Sequence, residues 1–401
     1  MSLRRRLLNA LHPAQPVSGG NSLSLLCNGD AYFPALLTAI NQATSTIRLE
    51  TYLYADDAIG HAVTAALCAA AIRGVDVRLV VDGFGARNID LHHLPRLTQA
   101  GVQVRVYRPE HHLWRHLLSR KRSRLRRMHR KMALFDGGTA FIGGINILDD
   151  ATDNPSPTRL DFAVQIRGPL VQPIAQAIDR QWQTLSRRPL FHRSIKHAPT
   201  PTKTAPSGHI RAGLLLRNNL SQRRSIENAY VQAIQSARDH ITLAMAYFIP
   251  SRNILNALLS ASERGVKVRL LLQGKIEYRL QHYASQSLYR SLLNAGIRLY
   301  EYQPGFMHAK VGVIDGQWTT LGSANLDPFS LLVAQEANIV IEDDAFCAQL
   351  EAKLQQEIET HSQEITAAAW GKNSSLHRAL RVMSARVLFR LLSLTRYADN
   401  Y

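Results

Sequence analysis

Residues 128–146 read Met-His-Arg-Lys-Met-Ala-Leu-Phe-Asp-Gly-Gly-Thr-Ala-Phe-Ile-Gly-Gly-Ile-Asn. Residues 307–325 read Met-His-Ala-Lys-Val-Gly-Val-Ile-Asp-Gly-Gln-Trp-Thr-Thr-Leu-Gly-Ser-Ala-Asn. The two stretches share one internal spacing: His129/His308, Lys131/Lys310, Asp136/Asp315, Gly143/Gly322 and Asn146/Asn325 each stand 179 positions apart. Strand alternation predicts His129 and Lys131 on one face. There an imidazole can attack phosphorus while an ammonium holds a phosphate oxygen. Gly-Gly-x-Asn or Gly-Ser-x-Asn is then read as a tight return that adds an amide donor. One copy is a weak signal; two with constant spacing are a strong one.

The rest of the chain repeats around these stretches. Arg73-Gly-Val-Asp-Val-Arg-Leu-Val-Val-Asp-Gly is answered by Arg264-Gly-Val-Lys-Val-Arg-Leu-Leu-Leu-Gln-Gly, and Ile40-Asn-Gln-Ala by Ile234-Gln-Ser-Ala. Ordered structure is expected from about Leu23. Helices are expected over 34–43, 58–72 and 345–369, with another ending at Gly101, and strands over 46–52, 77–81 and 102–107. Alternating strands and helices of these lengths predict an α/β lobe, present twice. The expected division is a basic lead (1–20), a first lobe (21–186), a Pro-rich linker (187–209), a second lobe (210–369) and a basic amphipathic segment (370–401). Sixteen extra residues in the first half fall between Pro109 and His129, where Arg and Lys crowd.

Composition narrows the partners. A formal net charge of +18 points to an anion, whether nucleic acid, anionic lipid or a phosphorylated substrate. Three scattered cysteines, Cys27, Cys68 and Cys347, suggest a reducing compartment, no disulfide and no metal site. No apolar run reaches the roughly 18 residues of a membrane span. Leu376, Leu380, Met383, Val387, Leu391 and Leu394 fall on one helical stripe among arginines, the pattern of a helix docked on the domain or, favoured by the basic and aromatic residues beside it, of one lying on a membrane surface.

The duplicated His-x-Lys-(x)4-Asp pattern resembles the signature of the phospholipase D superfamily. Leu49-Glu-Thr-Tyr52, Phe141-Ile-Gly-Gly-Ile-Asn146 and Gly322-Ser-Ala-Asn-Leu-Asp-Pro328 are most similar to the short, B-type bacterial cardiolipin synthases. The likeness runs over roughly residues 22–365. It implies two phospholipase D-like lobes, each a mixed β-sheet flanked by helices, with one active site at their interface. It implies His129, Lys131, Asp136, His308, Lys310 and Asp315 as the catalytic set, with Lys131, Asn146, Lys310, Ser323 and Asn325 on the substrate phosphate. Asp136 and Asp315 are expected to fix the motif loops rather than touch substrate.

By the same resemblance His129 is the nucleophile, held by Asp161, and His308 the acid and base, held by Glu336. Gly144 departs from Ser323, so the two half-sites need not be equivalent. No metal or other cofactor is expected, because lysines and asparagines can neutralise the phosphate. The implied reaction takes phosphatidylglycerol to cardiolipin through a phosphohistidine, at the cytoplasmic face of a bacterial inner membrane, with no nucleic acid bound. The rival readings are a phospholipase D-type hydrolase or nuclease of the same fold, and an inactive membrane-binding scaffold.

Overall fold

The computed structural model describes residues 17–87, 89–109, 126–149, 159–186, 205–218 and 222–371, with Leu380, Arg381, Met383, Ser384 and Val387 beyond them. Most of the basic lead, the insertion at 110–125, most of the linker and, of the C-terminal stripe, Leu376, Leu391 and Leu394 lie outside the described residues.

The first half contributes β1 (Ser18–Cys27), β2 (Thr46–Thr51), β3 (Asp76–Asp82), β4 (Gln103–Tyr107), β5 (Met132–Phe135), β6 (Thr139–Gly143) and β7 (Phe162–Arg167). The second contributes β8 (Ile210–Arg217), β9 (His240–Met245), β10 (Lys267–Gln273), β11 (Arg298–Tyr302), β12 (Lys310–Ile314), β13 (Trp318–Gly322), β14 (Glu336–Glu342) and β15 (Ser362–Ile365). They form one sheet in the order β15-β11-β10-β9-β12-β13-β14-β8-β1-β7-β6-β5-β2-β3-β4. Apart from β15, the second half mirrors the first strand for strand, and the halves join where β1 pairs with β8.

In each half a parallel run (β2-β3-β4, β9-β10-β11) meets an antiparallel run beginning at the motif strand. One face of the parallel strands is apolar (Ile47, Leu49, Val77, Leu79 and Val81 in the first half), while the other carries Arg48, Glu50, Arg78 and Arg105. Helices Asn28–Gln42 and Ala58–Ile72 pack on the outer face of one half, and Ser225–Ser236 and Arg252–Glu263 on that of the other. The inner faces share one core. It joins Leu134, Ile142, Val164 and Ile166 of the first half to Val311, Leu321, Ile339 and Ile341 of the second, between helices Val171–Ser186 and Asp344–His361. The expected α/β architecture is therefore present, with an apolar core common to both halves.

Repetition extends to the hydrogen bonds. Arg73 and Arg264 cap the preceding helices by donating to the Ile40 and Ile234 carbonyls. Asp136 accepts from the amides of Thr44, Ser45 and Thr46, and Asp315 from those of Arg238, Asp239 and His240. Both aspartates adopt left-handed backbone (φ 47° and 52°), so each starts the β-turn and ties it to the neighbouring strand. They stand at the far end of the motif strand from His129 and His308. Their place in the catalytic set is corrected: they hold the loops.

Three boundaries also move. The first strand begins at Ser18 rather than near Leu23. The expected helix over 345–369 stops at His361, and Ser362–Ile365 turns outward to pair antiparallel with β11 at the sheet edge. His129 and Lys131 precede β5 in an extended segment rather than lying in it.

Burial opposes ionisation of Asp136 and Asp315, yet their backbone amide donors hold both carboxyls below the usual range. A depressed folded-state value adds stability above the unfolded value of about 3.9 and loses it as pH falls through the folded one. Asp315→Asn should therefore lower the melting temperature at pH 7, with a gap that narrows below pH 3. Turnover of the folded fraction should be nearly unchanged; an abolished kcat with an intact melt would restore a catalytic role.

Candidate active site

The two motif histidines meet at the interface of the halves, their ring centroids 6.5 Å apart. Each is delivered by a backbone clasp from the other half. Met128 forms a parallel bridge with Gln335, and the His129 amide donates to the Gln335 carbonyl at 2.9 Å. Leu160 forms the matching bridge with Met307, and the His308 amide donates to the Leu160 carbonyl at 2.8 Å. From within their own halves, the Asp82 carboxylate accepts the Met128 amide and the Gln273 side-chain oxygen accepts the Met307 amide.

The clasps cross the carboxylates. His129 Nδ1 lies 3.1 Å from Glu336 Oε2, and His308 Nδ1 lies 2.6 Å from Asp161 Oδ2. The within-lobe pairing expected from sequence is corrected on both counts. Glu336 follows Gln335 and Asp161 follows Leu160, so the residue that bridges to one motif carries the carboxylate for it. Tethering Nδ1 turns Nε2 toward the space between the rings.

The two half-sites differ in size. A Cβ on Gly144 would stand 2.2 Å from Asp161 Oδ1, so the shorter carboxylate occupies the space that a side chain there would take. In the other half-site Ser323 Oγ donates to Glu336 Oε2 at 2.5 Å and accepts the Ala337 amide. With its hydroxyl engaged as donor to Glu336 and acceptor from Ala337, the expected contact of Ser323 with substrate phosphate is corrected: it braces Glu336. Gly143 and Gly322 serve close packing, because a Cβ at either would stand within 2.5 Å of the adjacent strand's backbone.

Both lysines are buried, and each donates to the carbonyl of its own motif histidine. Burial pushes Lys131 down to about 7, against Glu336 and with Lys310. It pushes Lys310 down to about 8, against Asp161 and Glu336. His129 is lowered by burial, with Glu336 opposing and Lys131 assisting. His308 falls well below its ordinary value through burial and then through Lys310, Arg159 and Lys131. Burial raises Asp161 to about 6, against Lys310. For Glu336 burial is outweighed by His129 and Lys131, and the carboxyl stays low. The site is buried, its lysines and histidines are held toward their neutral forms, and an incoming phosphodiester anion would favour their protonated forms.

Asn146 and Asn325 are buried at the same place. Asn146 Oδ1 accepts the Leu53 amide, which commits the oxygen and leaves the NH2 as a donor. Asn325 Oδ1 is buried without a hydrogen-bond partner. Three further residues belong to the site. The Tyr52 ring sits 4.9 Å from that of His129, with Lys131 Nζ 5.4 Å from its centroid. Asn28 accepts the Asp161 amide. Arg159 reaches across the interface to Glu277 at 3.6 Å, and Glu277 also accepts the Tyr247 hydroxyl. Tyr52 closes a conspicuous motif and Arg159 stands two residues before Asp161; Asn28 gives no signal in the sequence.

This fold and paired His-Lys centre define a phospholipase D-like protein. A family model described as "Cardiolipin synthase, PLD-like domain" matches residues 36–182 and 230–358, and the chain belongs to that family. It is 34% identical over 347 residues to cardiolipin synthase B of Escherichia coli strain K12, covering 86% of this chain and 82% of that protein. It is 30% identical to the probable cardiolipin synthase YwiE of Bacillus subtilis, over 84% of this chain and 66% of that one. In overall fold it matches the crystal structure of phosphatidylserine synthase from Haemophilus influenzae Rd KW20, with TM-score 0.73 at 13% identity and 98% and 99% coverage.

Each carboxylate should therefore govern the histidine of the opposite half. In a protein labelled with ¹⁵N at histidine, Glu336→Gln should shift the ring-nitrogen resonances of His129 and Asp161→Asn those of His308. The reverse pattern would restore within-lobe pairing.

Proposed function

We propose that this protein is a cardiolipin synthase that moves a phosphatidyl group from one phosphatidylglycerol to another and releases glycerol. The observation that carries this reading is the pair of carboxylate-tethered imidazoles facing each other between two buried lysines, in a chain whose relatives bear that name.

In the first half-reaction His129 Nε2 donates its lone pair to phosphorus. The bond from phosphorus to the glycerol oxygen breaks, and His308 gives that oxygen a proton. The nucleophile must be uncharged, and burial keeps His129 so. The acid must hold a proton only once substrate is bound. Burial and then the positive neighbours Lys310, Arg159 and Lys131 disfavour the His308 imidazolium, and a bound substrate anion favours its protonation. In the second half-reaction His308 takes the proton from the glycerol hydroxyl of another phosphatidylglycerol. That oxygen attacks phosphorus and His129 leaves. Lys131, Lys310, Asn146 and Asn325 supply cationic and amide donors for the phosphate oxygens. No metal ion enters either step.

The rim supports work at a lipid surface. Exposed Phe84 follows β3 and exposed Ile276 and Tyr278 follow β10, just beyond the Asp82 and Gln273 that hold the motif backbones. Arg87 and Arg127 stack on Phe84, and Arg159 lies over exposed Phe306. Apolar groups for the acyl boundary with guanidinium groups for headgroup phosphate form a peripheral membrane face. At the C-terminus Arg381 is buried against Trp370 while Met383 and Val387 of the expected stripe are exposed. Among the described residues no helix is long and apolar enough to cross a membrane. We place the protein peripherally on the cytoplasmic face of the inner membrane.

Purified protein incubated with phosphatidylglycerol vesicles should yield cardiolipin and one glycerol per turnover. Phosphatidic acid without cardiolipin would make it a hydrolase, and turnover of DNA alone a nuclease. Quenching in mid-turnover should trap an acid-labile lipid adduct on the peptide containing His129, absent in His129→Ala. An adduct on His308 would invert the assignment, and none on either would refute covalent catalysis.

Phe84→Ser with Ile276→Ser should weaken flotation with anionic vesicles about tenfold or more without lowering the melting temperature. Unchanged flotation would remove these residues from the membrane face.

A further inference from the structure

A second cluster of titratable side chains lies on the first half, outside the phosphoryl-transfer centre. It is built where the chain leaves β2 and where it returns after β3. Asp57 caps helix Ala58–Ile72 by accepting the Gly60 amide, and its other oxygen accepts the Asp149 amide. A Cβ on Gly60 would stand 1.9 Å from the Ala55 carbonyl oxygen, so only glycine permits a turn this tight. That turn brings Asp56 and His61 together, and His92 and His93 approach from the segment before helix Leu94–Gln99. Asp56 Oδ1 lies 3.2 Å from His61 Nε2 and 3.4 Å from His93 Nε2. Ligand atoms from all three residues lie within 4.8 Å of one another.

His93 Nδ1 lies 2.9 Å from Thr64 Oγ1, which lies 2.7 Å from the Tyr54 hydroxyl, itself 3.4 Å from the Gly60 carbonyl. When Nδ1 is the donor in this chain, the neutral ring presents a bare lone pair on Nε2. His93 is fully buried, and Nε2 has no hydrogen-bond partner. What it faces are acceptors, the Asp56 carboxylate and the Ala55 carbonyl. A buried ring nitrogen set against two acceptors is matched either by its own proton or by a metal ion held between them.

We propose that Asp56 Oδ1, His61 Nε2 and His93 Nε2 form a binding site for a divalent transition-metal ion of the zinc class. Bonds of about 2.0–2.1 Å in tetrahedral geometry place neighbouring ligand atoms roughly 3.4 Å apart, and the two Asp56 distances fit that edge. The fourth position faces solvent between the exposed Asp56 and His61. His92 Nε2, 3.4 Å from Asp56 Oδ2, braces the second carboxylate oxygen. The Nδ1 tether of His93 is the outer hydrogen bond that orients a metal-bound imidazole. The role is structural. The metal fastens the exit of β2, which carries Tyr52 beside His129, to the segment after β3, whose Asp82 holds Met128. The scattered positions 56, 61 and 93 contain no short metal-binding motif, which is why the sequence predicts no metal.

The test uses the full-length protein, stripped with EDTA, freed of chelator and titrated with Zn²⁺ against a chromogenic competitor, then with Co²⁺ by visible absorption. One equivalent of Zn²⁺ should bind, Co²⁺ should give the intense bands of a four-coordinate site, and Zn²⁺ should raise the melting temperature. Asp56→Asn and His61→Ala change exposed side chains and should fold. Each should weaken binding by 10–100-fold or more and abolish the thermal shift, whereas His129→Ala should bind as the parent does. Absence of stoichiometric uptake by the parent would overturn the site and leave a proton in the metal's place. Uptake undiminished in both variants, or lost in His129→Ala alone, would overturn it by placing the metal elsewhere.

Discussion

The site depends on an exchange of backbone hydrogen bonds between two halves that fold on the same plan. Gln335 holds the His129 backbone and Leu160 holds that of His308, and in each case the next residue along carries the carboxylate that orients the imidazole. Backbone geometry and ring orientation are thus set by one short segment, so a slip in the clasp would misplace both. Cooperative packing keeps the register: the two inner sheet faces share an apolar core, and neither face is covered without the other.

Within that frame the electrostatics favour a site that waits for its substrate. Two lysines and two histidines are buried together, and desolvation lowers all four. Asp161 and Glu336 offset part of the cost of this arrangement, and an incoming anion would offset more. Interactions that become favourable when negative charge enters are those that raise reactivity rather than binding in the resting state. Asp161 and Glu336 divide the work unequally: one is pushed toward neutrality by burial, the other stays low through its serine and histidine partners.

Much of this was legible in the sequence because the pattern occurs twice. Duplication turned a common spacing into a specific one, predicted the α/β layering, and located both histidines, both lysines and both asparagines; the resemblance to the family pointed to the two carboxylates. What it could not give was which carboxylate meets which histidine, since an acidic residue some thirty positions after each histidine fits a direct or a crossed pairing. Ser323 looked like a phosphate ligand because its motif neighbours are; its burial under Glu336 is a tertiary fact. The break at His361 was missed for a similar reason. Ser362–Ile365 carries no strand alternation strong enough to interrupt a helical stretch, and only the open edge of β11 recruits it.

The crossed clasp carries a statement about ancestry. A single half, with its histidine facing away from its own carboxylate, is an incomplete reactor, but two identical copies related by a two-fold axis would complete each other, each lending its acid to its neighbour's base. Fusing such a pair end to end would keep the symmetry in the backbone while freeing the copies to diverge. Gly144 opposite Ser323, and a histidine cluster that among the described residues occurs on one side, are the marks that such a freedom leaves.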